Sequence, residues 1–144
     1  ITNVEQNKFY DQLLKDTGFD KDPRVKFVGT VYDQELLKYI RENAFAYFHG
    51  HEVGGTNPSL LEALASTKLN LLLDVGFNRE VGEDGAIYWK KDDGDLSRLI
   101  DTVDGMEEAF GEKFGLMSKD RIRTAYSWEF IGKEYEVIWD AEVI

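Results

Sequence analysis

Leu69, Leu71, Leu72, Leu73 and Val75 make residues 69–75 an almost unbroken apolar run. A strand that shows no polar alternation is covered on both faces, which is the position of a central strand in a parallel sheet. The segments around it keep to that plan. Residues 25–29 form a short apolar run ended by Gly29, residues 44–49 read as a buried strand, and residues 85–89 read as a further short strand. Between the strands the apolar period changes to that of helices. Leu36, Leu37 and Ile40 follow Asp33, and Leu60, Leu61 and Leu64 follow Asn57 and Pro58.

Before the first strand, Phe9, Tyr10, Leu13 and Leu14 predict a helix over residues 3–18, with Asn3 and Gln6 spaced as a capping box and Gly18 as its stop. From residue 95 onward the pattern is helical in two parts. Leu96, Leu99, Ile100 and Val103 belong to the first; Ile122, Tyr126, Phe130, Ile131, Tyr135, Ile138 and Trp139 belong to the second. Gly111 and Gly115 read as punctuation between them. Strands alternating with helices over short turns predict an α/β chain built on a doubly wound parallel sheet. No repeat, low-complexity tract or Pro/Ser-rich linker divides residues 1–144, so one domain is expected.

Composition excludes several classes of function. Lys+Arg 17 against Asp+Glu 28 gives a net charge of -11, which repels phosphate backbones and disfavours nucleic acid as a partner. Cysteine is absent, so disulfide frameworks, thiolate metal sites and thiol catalysis are excluded. No apolar run is long enough for a membrane span. The first residues are neither a signal peptide nor an initiator methionine, and they read as cut from something longer.

In an open parallel sheet the ligand crevice lies beyond the carboxyl ends of the strands. The most unusual turn there spans residues 49–58, where Gly50, Gly54 and Gly55 let backbone approach a ligand and Asn57 with Pro58 starts a helix. Free amides at that helix start suit a phosphate group; an ordinary strand-to-helix turn is the alternative reading. Glu62 projects off the stripe of Leu60, Leu61 and Leu64, so its carboxylate either accepts ribose hydroxyls across a cleft or is a solvated glutamate of an early turn. On that geometry, replacing Glu62 by Ala leaves the fold intact.

His49 and His51 supply at most half a metal site, so no metal is expected and the two imidazoles read as structural or sugar-contacting. Asp92, Asp93 and Asp95 read as a solvated acidic turn, lacking the later glutamate of a calcium loop. Trp139, Val143 and Ile144 read either as a helix end packed on its own domain or as one crossing to another.

The stretch from Gly50, His51 and Glu52 through Val53, Gly54, Gly55, Thr56, Asn57, Pro58 and Ser59 to Leu60, Leu61, Glu62, Ala63 and Leu64 resembles the donor-binding signature of family-four retaining glycosyltransferases. These have the two-domain GT-B architecture. More narrowly it resembles bacterial rhamnosyltransferases of polysaccharide assembly. Residues 25–31 resemble the family's strand before the signature, and residues 74–81 its turn after the next strand. Tyr126, Ser127, Trp128 and Glu129 with Tyr135 resemble its closing helix.

The resemblance covers nearly the whole chain and implies a Rossmann-like sheet, the truncated carboxyl-terminal half of a GT-B enzyme, belonging to its nucleotide-sugar domain. The amino-terminal acceptor domain would be absent, as would the family's Arg and Lys that clamp the donor diphosphate. By the same resemblance Glu62 holds the nucleotide ribose and Glu52 contacts donor-sugar hydroxyls as the catalytic glutamate. Amides around Gly54, Gly55 and Thr56 meet sugar and diphosphate, with His51, Asn57 and Ser59 as further donor contacts. Nine residues separate Glu52 from Glu62 where the family has seven, so Glu52 would take its role through a longer turn.

The implied partners are a nucleotide sugar and a saccharide acceptor, lipid-linked at the inner face of the cell membrane. No cofactor is implied, and the fragment by itself would transfer no sugar. The alternatives are a flavodoxin-like receiver or binding module with Asp74 as its acid, and a nucleotide-sugar epimerase on the same two-domain plan.

Overall fold

The computed structural model describes residues 7–52 and 58–126. The chain divides into two compact units, the first reaching Leu37 and the second starting at Lys38.

In the first unit, helix α1 spans Lys8–Thr17. Its cap is Asn7, whose side-chain oxygen accepts from the Tyr10 amide at 2.8 Å, whereas the expected cap at Asn3 and Gln6 lies outside the described residues. Gly18 ends the helix in the left-handed region as expected, donating its N–H to the Leu14 carbonyl. A single 3-10 turn follows at Phe19–Lys21, and the Phe19 and Phe27 rings meet at 5.8 Å.

The strand expected over residues 25–29 does not form. Phe27 and Val28 are 52% and 57% exposed, and the sheet contains only later segments. A strand's preference is realised through ladder bonds and side chains on a neighbour; the first unit offers no second strand among its described residues. Asp33 does cap the next helix, accepting from the amides of Glu35 and Leu36. That helix, α2, spans Gln34–Asn43 and runs from the first unit into the second.

The second unit holds the sheet. Strands β1 (Tyr47–His49), β2 (Asn70–Leu73) and β3 (Ile87–Trp89) are all parallel, in the order β1-β2-β3. Helix α3 (Pro58–Ser66) lies between the first two in sequence, and α4 (Gly76–Gly82) between the second pair. Helices α5 (Asp95–Asp104) and α6 (Glu108–Ala125) complete the described chain. This is an α/β fold, Rossmann-like in general character. The strands are shorter than the apolar runs that predicted them, and α4 is an element the sequence pattern did not reveal. The strand order has no reversal, so the switch point of a doubly wound sheet is not among the described strands.

Register fixes which side chains share a face. His49, Leu72 and Tyr88 stand side by side, as do Phe48, Leu71 and Ile87. Leu72 enters a core with Leu60 and Leu64 of α3, Val81 of α4 and Ile122 of α6. Leu71 enters the opposite core with Leu69 and Val103, against Ile87, Leu99 and Phe114. Residues 70–73 are therefore covered on both sides, as their apolar run requires, and each fully buried leucine contributes roughly 1.5–3 kcal/mol.

Gly111 and Gly115 do not separate two helices; both lie inside α6. Gly115 is there because the helix crosses close to the start of β2. A Cβ at this position would sit 3.1 Å from the Lys68 Cα. The expected continuation of the helical tail, with Trp139, Val143 and Ile144, lies outside the described residues.

Candidate functional site

Because the three strands are parallel, their carboxyl ends share one edge, and the turns that follow β1, β2 and β3 converge there. His49 closes β1 at 1% exposure. Its Nδ1 lies 3.1 Å from the Tyr47 hydroxyl, its ring stacks on that of exposed His51 at 4.7 Å, and its Nε2 has no partner among the described residues. Burial, and then the charge of His51, hold its pKa below the ordinary imidazole value.

Asn78, in the first turn of α4, is fully buried. Its amide donates to the carbonyls of Leu73 at 2.9 Å and His51 at 3.2 Å, so one side chain ties the ends of β2 and β1 together. Sequence reasoning placed Asn78 in a turn and gave it no role. The signal available was weak, Asn78 being the first of three polar residues between Phe77 and Val81, beyond an apolar strand.

The two glutamates singled out by sequence are both in ion pairs. Glu52 pairs with Lys91 from the turn after β3, joining the turns that follow the two outer strands. Glu62, in the second turn of α3, pairs with Arg41 near the end of α2. Arg41 is only 13% exposed while Glu62 is 38% exposed, so the guanidinium is the sheltered partner and the carboxylate the one open to solvent. The Thr67 hydroxyl donates to the Arg41 carbonyl at 2.9 Å, anchoring the helix end that carries this pair. Neither Arg41 nor Lys91 was identified from sequence, since a long-range pair leaves no local spacing to read.

Asp74 follows β2, with its N–H donating to the Trp89 carbonyl at 2.8 Å. Its carboxylate is gripped by Arg79 through two hydrogen bonds, the second at 2.9 Å, and this bonding holds its pKa below the ordinary carboxylate value. The Arg79 guanidinium also lies 4.4 Å from the Tyr88 ring centroid. Burial pushes the Tyr88 hydroxyl up to about 12, and that hydroxyl donates to the Glu83 carbonyl.

Of the remaining donor-contact candidates, Ser59 is exposed in the first turn of α3 and His51 is exposed beside Glu52. Gly54, Gly55, Thr56 and Asn57 lie outside the described residues. Asp95, the first residue of α5, accepts from the Lys90 amide at 2.7 Å. No cluster of three or more His, Asp or Glu suited to a metal occurs among the described residues. No helix among them is long and apolar enough to cross a membrane. Compared with protein families, curated proteins and solved structures, the chain matches none.

Proposed function

We propose that this chain is part of the nucleotide-sugar domain of a retaining GT-B glycosyltransferase, one that moves rhamnose from a nucleotide-diphosphate donor to a saccharide acceptor. The observation that carries the reading is the Glu62 carboxylate. It stands in the second turn of the helix following β1, is steered by a nearly buried arginine, and is still more than a third exposed. A carboxylate fixed in this way accepts hydrogen bonds from two neighbouring ribose hydroxyls with little loss of rotamer entropy on binding.

The carboxyl edge of the sheet carries groups suited to the same chemistry. Glu52 lies on the turn before α3, and its partner Lys91 is an exposed cation able to exchange a carboxylate for an incoming phosphate. Amides of residues 54–56 would meet the leaving diphosphate, where placement and main-chain donors stabilise departing charge without a titrating group. The acceptor would be lipid-linked, at the cytoplasmic face of the cell membrane, and would be held by the other domain of the GT-B pair. A receiver reading is less well supported because Asp74, its expected acid, is occupied by Arg79.

Amide spectra recorded while the chain is titrated with nucleoside diphosphates and their rhamnose conjugates test the proposal. Shifts over residues 50–62 that are lost in Glu62→Gln are expected. Shifts confined to the surroundings of Asp74, or none at millimolar nucleotide, would overturn it.

A further inference from the structure

The opposite edge of the sheet, at the amino ends of the strands, holds a cavity of about 490 Å³. Its floor is apolar, made by Leu69, Val103 and Met106, and Phe45 stands beside it 67% exposed. Its rim is acidic. Glu107 and Glu108 lie there with no ion pair among the described residues, and Glu42 is the third carboxylate, held loosely by Lys38 at 3.6 Å. Lys68 is the single cation of the lining.

The wall contains one feature that packing does not require. Gly111 lies inside α6, where glycine costs roughly 0.5–1 kcal/mol relative to alanine. At Gly115, four residues on, the approach of Lys68 accounts for glycine. At Gly111 a Cβ would meet nothing within 4 Å. The absence of a side chain there keeps the cavity open along the helix.

What the cavity admits follows from where its polar groups stand. They are on the rim, and the one amide among them, that of Asn43, is bonded to the Tyr39 carbonyl at 2.8 Å. A small polar ligand is oriented by convergent groups inside its pocket, whereas an apolar centre ringed by charge is the pattern of a protein interface. The charge selects the partner. Residues 127–144 carry five acids against one lysine, and a second copy of the chain brings -11, so both are repelled by this rim.

We propose that the cavity is a docking site for a basic polypeptide segment of another protein, one large apolar side chain entering over Leu69 and Val103 while flanking Lys or Arg side chains meet Glu107 and Glu108. The inference is independent of the glycosyltransferase reading. A synthetic peptide of alternating lysine and leucine, titrated into the isotope-labelled chain, is expected to shift the amides of Phe45, Met106 and Gly111. Gly111→Trp fills the cavity without changing its charge and should weaken binding by about tenfold or more, near 1.4 kcal/mol. Glu107→Gln with Glu108→Gln should weaken it too and flatten its dependence on salt. Equal affinity for the native chain and both variants would mean diffuse attraction to an acidic surface and would overturn the proposal. So would a dimer in sedimentation that Gly111→Trp dissociates, which would assign the surface to a second copy.

Discussion

At the scale of single residues, the Arg41–Glu62 pair changes what a substitution can report. A glutamate on the polar side of a helix reads as dispensable for folding, but here its removal leaves a guanidinium that is 13% exposed without its counter-ion. Breaking a fully buried pair costs several kcal/mol; with Glu62 more than a third exposed, screening reduces this to about 1–2 kcal/mol. Urea unfolding should therefore show Glu62→Ala destabilised by that amount and Glu62→Gln by less, because the amide oxygen still accepts from Arg41. If Ala and Gln unfold at the same midpoint as the native chain, the pair is not structural. Only the Gln variant separates ligand binding from stability.

His49 makes a second prediction at this scale. Its folded pKa lies below the ordinary imidazole value of 6.5, chiefly because the ring is buried. The unfolded chain then takes up a proton that the folded chain refuses, so this contribution to stability is complete above pH 6.5 and is lost as the pH falls through it toward the folded value. Unfolding free energies measured between about pH 7.5 and pH 5.5 should decline, and His49→Gln should remove most of the slope. A slope unchanged in His49→Gln would place the proton uptake elsewhere.

At the scale of elements, α6 contains a paired experiment within one helix. Gly111→Ala gains helix propensity and meets open space, so it should raise stability by about 0.5–1 kcal/mol. Gly115→Ala gains the same propensity but drives a methyl group against the Lys68 backbone, and a net loss of about 1 kcal/mol is expected. Chemical denaturation of both variants checks the signs; two stabilised proteins would mean that α6 shifts away from Lys68 at little cost.

The same contrast explains what could be read from sequence. Apolar period and end signals located α1, β2, α2, α3 and α5, because Leu71 and Leu72 report burial on both faces and Asp33, Pro58 and Gly18 act locally. They placed a strand at residues 25–29 because Val25, Phe27 and Val28 suit a ladder, but propensity cannot supply the neighbour. Gly111 and Gly115 were read as breakers because a close approach between α6 and Lys68 is invisible along the chain. At the candidate site, Glu52 and Glu62 were singled out through a local signature. Arg41, Asn78 and Lys91 were not, since each acts on a partner distant in sequence: Arg41 on Glu62, Asn78 on His51 and Lys91 on Glu52.

At the scale of the whole molecule, 28 acids against 17 bases set a self-repulsion that the observed ion pairs do little to offset. Arg24–Asp22, Lys38–Glu42, Arg98–Asp95 and Arg123–Asp120 each include an exposed partner, and pairs of that kind contribute about 0–1 kcal/mol apiece. Salt weakens both the repulsion and these pairs, so the sign of its effect depends on which is larger. The surplus acids are spread over the chain and act across a Debye length of about 30 Å at 0.01 M salt, which shrinks to about 8 Å at 0.15 M. Repulsion at those distances is lost first, while contact pairs and the sheltered Arg41–Glu62 bridge are screened least. The thermal midpoint should therefore rise as sodium chloride is raised from about 0.01 M to about 0.15 M. It should rise less in a variant that exchanges Glu107 and Glu108 for Gln, where two unpaired charges of the surplus are already gone. A midpoint that falls with salt would show that specific ion pairs, and not the excess of carboxylates, dominate the electrostatics of this chain.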